Sequence, residues 1–475
     1  MTDSWATSGA DLHLEPVPGR GVRAGLTEAL REAARSGRLA PGTRLPSSRS
    51  LAADLGIARN TVAEAYADLV AEGWLTARRG SGTRVAERAP VRRPAAAVPV
   101  RRPVRAQTSY SLKPGSPDLD GFPRAAWLAA ARRALTEAPN EAFGYADPRG
   151  RVELREALAE YLARARGVYA DPEHIVLCAG FGQGLLLLAR MLRARRVREI
   201  AVEGYGLDVH RELLTGAGLR TRPLAVDGAG ARTAELAGSG AGAVLLTPAH
   251  QFPTGAALTP GRRTAAVDWA RSTGGLVLED DYDGEFRYDR QPVGALQGLD
   301  PERVVYLGTA SKSLAPGLRM GWMVLPGPVL DEVLAVKGRT DWSSSALDQL
   351  TLAEFIRSGA YDRHVREMRV RYRRRRDELV TAVGDRAAVS GIAAGLHAVL
   401  DLPPGGERAA LRSAARQDLG LLPLSFFRHP QAATPPREAL VVGFGTPSRS
   451  AWAPTLEALV AALPPRGPGA GRGAG

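Results

Sequence analysis

The chain has 475 residues, 44% of them hydrophobic and 24% charged, with a formal net charge of +13. That length suits about three folded units. No apolar run approaches the roughly 20 residues that span a bilayer, the opening MTDSWATSGADLHLE lacks a charged-then-apolar leader pattern, and the single cysteine, Cys178, excludes an internal disulfide framework and a cysteine-built zinc site, so a cytoplasmic protein without membrane association or bound metal is expected.

Residues 1–107 carry 17 arginines against 10 acidic residues, a net of +7 (17 − 10), more than half the excess of the whole chain. Such a basic end points to a polyanion partner, nucleic acid first; solubility and an arginine-rich coding bias are the plain alternative. Within 20–87, GLTEALREAARSGRL (25–39) repeats apolar residues at Leu26, Leu30, Ala33 and Ala34, a helical spacing. PGTRLPSSRSLAADLG (41–56) reads as a turn and a short helix ending at Gly56. ARNTVAEAYADLVAEG (58–73) is a further helix with Val62, Tyr66, Leu69 and Val70 on one face, and WLTARRGSGTRVA (74–86) is a hairpin. Helix, helix, tight turn, helix and hairpin make a winged helix-turn-helix. Its second helix of the motif starts at Arg59, Asn60 and Thr61, the residues placed to meet a major groove, with Arg49 on the preceding helix and Arg78, Arg79 and Gly82 in the wing.

Residues 88–107, RAPVRRPAAAVPVRRPVRAQ, have no period able to bury a core and read as a semi-extended linker. From 108 to 465, HIVLC (174–178), EIAVE (199–203), GAVLLT (242–247), GLVLED (275–280), RVVYLG (303–308) and WMVL (322–325) read as buried strands, several of them separated by helix-length stretches. That predicts an α/β domain with a largely parallel sheet, whose ligands bind outside the carboxyl ends of the strands. The large part spans about 125–330 and a smaller part 331–465; the tail 466–475 should be disordered. The arginine-dense helix HVREMRVRYRRRRDEL (364–379) can pack one face through Val365, Met368, Val370 and Tyr372, and Lys113 and Lys337 read as surface residues.

Lys113, Lys312 and Lys337 are the three lysines among 63 Lys plus Arg. Lys312 stands in GTASKSLAPGLRMGW, and only a primary amine, not a guanidinium, forms a Schiff base with an aldehyde cofactor. Strand GLVLED delivers Asp280, fit to hold a pyridine nitrogen protonated, and Tyr282, fit to bond a phenolic oxygen. Gly180-Phe181-Gly182-Gln183-Gly184 follows a strand and opens a helix, so its backbone N–H groups, Phe181 and Gly182 among them, can cradle a phosphate. Thr309, Ser311 and Arg319 flank the lysine and offer further phosphate contacts. Three junctions thus supply the parts needed for pyridoxal 5'-phosphate.

LPSSRSLAADLGIARNTVAEAYADLVAEGWLTARRGSGTRV resembles a GntR-family winged helix, except that Ala58 stands where that family usually has a capping Ser. Residues 110–460 resemble a fold-type I, class I aminotransferase. SKSLAPGLRMGW implies Lys312 as the Schiff-base lysine and Arg319 as a phosphate ligand; VLEDDYDGEFRYD implies Asp280 at the pyridine nitrogen and Tyr282 at the phenolic oxygen. EGYG implies Tyr205 near the cofactor ring, and YADPRG implies Tyr145 at the phosphate of a neighbouring subunit, hence a homodimer. The two together resemble the MocR subfamily of GntR regulators, which includes members sensing vitamin B6 status and γ-aminobutyrate. The resemblance implies a head-to-tail dimer that binds a double-stranded DNA operator and responds to pyridoxal phosphate or an amino compound.

Two departures separate the chain from working aminotransferases. In HQFPTG (250–255), Phe252 stands at the position of the family Asn that bonds the phenolic oxygen, leaving His250 or Gln251 to substitute. In LVVGF (440–444), Val441 stands at the position of the Arg that holds a substrate carboxylate, leaving Arg428 or Arg437 to reach in from nearby loops. The expectation is a regulator that retains its cofactor with weak or absent transaminase activity; an active aminotransferase carrying a DNA-binding domain is the alternative. Loss of the carboxylate arginine favours pyridoxal phosphate itself as the signal and points to vitamin B6 metabolism.

Overall fold

The computed structural model describes residues 21–78, 82–87, 108–288, 293–338 and 344–464. The chain separates into two compact units, the first ending at Arg105 and the second starting at Ala106. The linker reading over 88–107 and the tail reading over 466–475 lie outside the described residues, apart from the boundary they set.

The first unit is built from helices Val22–Arg35, Ser48–Leu55 and Arg59–Ala71, followed by the antiparallel pair Leu75–Arg78 and Gly82–Val85. Leu26, Leu30, Ala33, Leu51, Val62, Tyr66 and Leu69 close its core. Val70 does not join them and is exposed. At 100° per residue it lies roughly 80° round the helix from Val62, at the rim of the apolar stripe. Ser47 caps the second helix by accepting from the Ser50 N–H at 3.1 Å, and Gly56 ends it in the left-handed region at φ 65°. Ala58 occupies the cap of the third helix and offers no side-chain bond.

In the second unit, the main sheet among the described residues runs in the order Ile175–Cys178, Gly321–Val324, Val304–Thr309, Leu276–Asp280, Ala243–Leu246, Glu199–Glu203, Arg220–Leu224. Each strand is parallel to its neighbours except Gly321–Val324, which is antiparallel to both. Apart from that strand the sheet is parallel, so the central strands are apolar on both faces and buried throughout, as in Val304–Thr309. The edge strand Arg220–Leu224 escaped the sequence reading because RTRPL has no apolar run. A smaller antiparallel sheet follows, in the order Ala388–Ser390, Ala398–Asp401, Ala439–Val442, Leu422–Pro423.

Packing corrects one surface reading and one member of a predicted packing face. Lys337, the last residue of helix Gly327–Lys337, is buried, because its stem follows Val333 into the core. The basic stretch lies in helix Ala360–Val383, where Val365, Met368 and Tyr372 pack inward while Val370 is exposed. Arg375 of this helix is also internal: its guanidinium donates to Asp118 Oδ2 at 3.1 Å and to the Phe444 carbonyl at 3.3 Å. A buried guanidinium needs such a partner set to offset its lost hydration.

Restoring a cap gives a direct stability test. Ala58→Ser should stabilise the first unit by about 1 kcal/mol, seen as a higher midpoint for its transition in thermal unfolding.

Candidate functional site

The topology brings the functional strand ends side by side. Asp280 ends one strand and pairs in register with Leu307 of the next; Thr309 pairs with Gly321, and Gly321 with Cys178. Past Cys178 the chain turns through Gly180, at φ 85°, into helix Phe181–Ala194. A Cβ on Gly321 would stand 2.9 Å from the Gly180 backbone, so glycine is required where these two segments touch. Arg319, itself left-handed at φ 52°, donates to the Ala179 carbonyl at 2.6 Å and lies over Gly180. The helix N-terminus, the arginine and the Thr309–Ser311 hydroxyl pair, 2.8 Å apart, thus converge on one cavity of about 420 Å³.

Its electrostatics follow from burial. Asp280 is buried, and its Oδ1 has no hydrogen-bond partner among the described residues. Burial holds its carboxyl well above the ordinary carboxylate range; Lys312 pulls it down, while Asp281, Asp283 and Glu203 push it further up. Lys312 is part-exposed and donates to the Gly115 carbonyl. Desolvation lowers its pKa, opposed by the charges of Asp280 and Asp283. Burial raises the Tyr282 hydroxyl far above its usual range, with Asp283 and Asp280 adding to the effect, so it remains a donor. Glu203 is pushed up to about 7 by burial, although donors on Thr247 and Gln251 favour its charged form. His210 is pushed down to about 4 by burial and then by the Lys312 and Arg211 charges, and its neutral ring lies 4.6 Å from that of Phe181.

Residues 112–421 match the family of aminotransferases class I and II, and residues 23–85 match the gntR family of bacterial regulatory proteins. The chain is 33% identical over 444 residues to the HTH-type pyridoxine biosynthesis transcriptional regulator PdxR of Corynebacterium glutamicum, covering 91% of this chain and 94% of that one. It is 32% identical over 445 residues to the probable rhizopine catabolism regulatory protein MocR of Rhizobium meliloti, covering 88% and 89%. The chain belongs to the MocR-type gntR-family regulators. Among solved structures it is similar to an archaeal alanine:glyoxylate aminotransferase, with a TM-score of 0.67 and 26% identity over 74% of this chain and 89% of that one.

Pyridoxal 5'-phosphate is the cofactor of this regulator family's aminotransferase domain. The cavity fits it: an orphaned buried carboxylate oxygen suits a ring N–H donor, and the Gly180 turn with Arg319 suits a phosphate. Of the residues expected from sequence, Phe181, Gly182, Tyr205, Asp280, Tyr282, Thr309, Ser311, Lys312 and Arg319 all line this cavity. Tyr145 does not; it is fully exposed. Phe252 lines the wall where the family amide is expected. Val441 is fully buried in a core with Tyr205, Val399 and Phe427.

Neither substitute arginine reaches the cavity. Arg437 is held by Asp401 and Ser390, and Arg428 donates to the carbonyls of Ala432 and Thr434. The arginines in the wall, among the described residues, are Arg319 and Arg211. Arg211, like Glu203, His210 and His397, went unnoticed in the sequence. Glu203 ends a strand run just as Asp280 does and carried the same signal; His210 and Arg211 sit in helix Asp208–Gly216 with none.

In the first unit, Arg49, Arg59 and Asn60 are exposed and Thr61 half-buried at the starts of helices Ser48–Leu55 and Arg59–Ala71. Arg78 and Gly82, at φ 81°, are exposed on the hairpin, where Arg44 lies 3.2 Å from the position of a Gly82 Cβ. Arg79 lies outside the described residues.

The Glu203 carboxyl supplies a pH test. Raised from an ordinary 4.5 to about 7, it binds its proton more tightly folded than unfolded, so its contribution to stability falls as pH rises through that window. Relative to wild type, Glu203→Gln should gain up to about 3 kcal/mol between about pH 5 and about pH 8, read by urea unfolding.

Proposed function

We propose that this MocR-type regulator holds pyridoxal phosphate at Lys312 as a signal, or as the hook for an amine effector, and turns over amino acids weakly or not at all. One observation carries the reading. The cavity keeps the lysine and the orphaned Asp280 carboxylate, while the position that would bind a substrate carboxylate is a core valine and both nearby arginines are tied elsewhere.

Asp280 would accept from the ring nitrogen, Tyr282 would donate to the phenolic oxygen, and Tyr205 would stand near the ring. Arg319, Thr309, Ser311 and the N–H groups at Phe181 and Gly182 would hold the phosphate. When bound, the cofactor supplies an aldehyde that takes up primary amines and a ring that withdraws electrons. Desolvation favours the neutral, nucleophilic form of the Lys312 amine, and a protonated ring partner would keep Asp280 ionised. Arg211 donates to the Gly206 carbonyl at 2.8 Å, which occupies part of the guanidinium a carboxylate would need.

The acting form is read as a head-to-tail homodimer. Tyr145 is fully exposed, and Leu128, Leu135 and Phe143 on the same stretch are exposed too, an apolar set suited to a second copy. Operator recognition is assigned to Arg59, Asn60 and Thr61 in the major groove, with Arg49, Arg78 and Gly82 near the backbone. Similarity to a pyridoxine-biosynthesis regulator supports vitamin B6 metabolism as the controlled process.

Full-length protein mixed with pyridoxal phosphate should show a visible absorbance band that disappears in Lys312→Ala. That variant should still bind operator DNA but lose its response to the cofactor. Amino-acid turnover at an ordinary aminotransferase rate would sink the regulatory reading in favour of an enzyme tethered to DNA. Arg59→Ala, in contrast, should cost about 1–3 kcal/mol of operator affinity and relax the base preference under its helix, in DNA-binding titrations at fixed salt.

A further inference from the structure

With Phe252 in place of an amide, some other group must orient the contact to the cofactor's phenolic oxygen. Gln251 is fully committed: its Nε2 donates to Glu203 Oε2 at 3.1 Å and to the Tyr205 carbonyl at 3.0 Å, and its Oε1 accepts from the Thr254 N–H at 3.0 Å and hydroxyl at 2.6 Å. His250 is placed differently. Its Nδ1 lies 2.8 Å from Asp283 Oδ2 and 3.1 Å from the Tyr282 hydroxyl oxygen.

That shared nitrogen decides which way the Tyr282 proton points. Asp283 is buried and a carboxylate oxygen accepts, so the imidazole proton belongs on Nδ1, where it donates to the carboxylate. The Tyr282 oxygen then sits at the edge of the same N–H as an acceptor. Asp283 also lies within hydrogen-bonding reach of that hydroxyl, but a carboxylate oxygen already taken up by Nδ1–H competes less well for the Tyr282 proton than a phenolic oxygen in the cavity would. In the opposite tautomer the bare Nδ1 would take the Tyr282 proton, and the hydroxyl would turn away from the cavity. The assigned tautomer leaves Nε2 a lone pair, and His250 Nε2 is buried with no hydrogen-bond partner among the described residues. His397 packs against the ring at a centroid distance of 4.8 Å and faces its own Nε2 to the Pro253 carbonyl at 3.1 Å. Gly395 closes over the pair: a Cβ there would lie 2.3 Å from Asp283 Oδ2 and 2.4 Å from His250 Cε1. The other titratable groups facing this cluster are Asp280, Lys312, Glu203, Glu285 and Tyr288.

We infer that His250, held in its Nδ1–H tautomer by Asp283, aims the Tyr282 hydroxyl proton into the cofactor cavity and replaces the amide that Phe252 displaces. His250 is thus a positioning residue acting through Tyr282. The inference rests on pyridoxal phosphate lying with its phenolic oxygen toward Tyr282, as under the proposed function.

The test is a pH titration of the visible band in full-length protein loaded with pyridoxal phosphate. A phenolic oxygen that loses its donor holds a nearby proton more tightly, so the apparent pKa of the band rises by about one pH unit in His250→Leu. Tyr282→Phe should give the same rise, and the double variant no more than either alone. His250→Asn sets an amide N–H near the lost Nδ1–H and should bring the value back toward wild type. Asp283→Asn offers N–H to the imidazole and inverts the tautomer with little change of shape; because it also removes a negative charge that holds the Lys312 amine proton, it is read by imidazole NMR and not by the band. It also carries the test if His250→Leu misfolds. In cofactor-free protein, imidazole nitrogen NMR shifts should place the His250 proton on Nδ1, and on Nε2 in Asp283→Asn. A wild-type titration in His250→Leu, additive shifts in the double variant, or an Nε2–H wild-type imidazole each overturns the inference. Wild-type protein with no visible band would instead overturn the cofactor site itself.

Discussion

A carboxylate removed from water needs a donor or a cation, and Asp280 is only partly provided for. Its strand drives it into the sheet end, burial raises its proton affinity, and one of its oxygens has no hydrogen-bond partner among the described residues. Lys312 attenuates the cost through space. The remaining design of the cavity can be derived from that incomplete site. A partner bearing an N–H must enter, so there is a hollow; the partner must be oriented, so an arginine, two hydroxyls and a helix start line the same hollow.

The convergence depends on strand order more than on any one residue. Gly321–Val324 runs against its neighbours and so returns the chain from the lysine loop to the turn at Gly180. Two closely packed glycine positions make this possible: Gly321 against the Gly180 backbone, and Gly395 over the His250–Asp283 pair. In both, the missing side chain serves close approach of backbone to functional groups. The same framework suits catalysis or sensing. What distinguishes the two here is the fate of the carboxylate contact, since a ligand shifts an equilibrium only by its difference in affinity for the two states.

Much of this was legible in the sequence, because local order carried it. Lys312, Asp280, Tyr282 and the Gly180–Gly184 turn each follow an apolar strand run, and parallel strands place such ends at a shared rim. The regular helical stripes and the capping residues of the first unit were legible for the same reason. Less legible was whatever depended on distant partners. Arg375 is internal because Asp118, 257 positions away, receives it. Gly115 meets Lys312 across 197 positions. His250 looked like one of two possible substitutes until folding committed Gln251 to Glu203 and left the imidazole beside Tyr282. Val70 missed its core by a fraction of a helical turn, a precision no periodic pattern supplies, whereas Val370 stands on the face opposite Met368 and Tyr372.

The distribution of cations has one more consequence. No lysine precedes Lys113, so the DNA-binding unit carries its positive charge wholly on arginine. Guanidinium stays protonated across the physiological range and is not a substrate for lysine acylation. That unit's attraction to phosphates is therefore a constant, indifferent to pH and to the acetylation that silences basic surfaces elsewhere. The second unit carries all three lysines and sets one of them, Lys312, in the cavity wall, where desolvation lowers its pKa. A fixed charge marks the DNA-binding unit, and a titratable one faces the cavity.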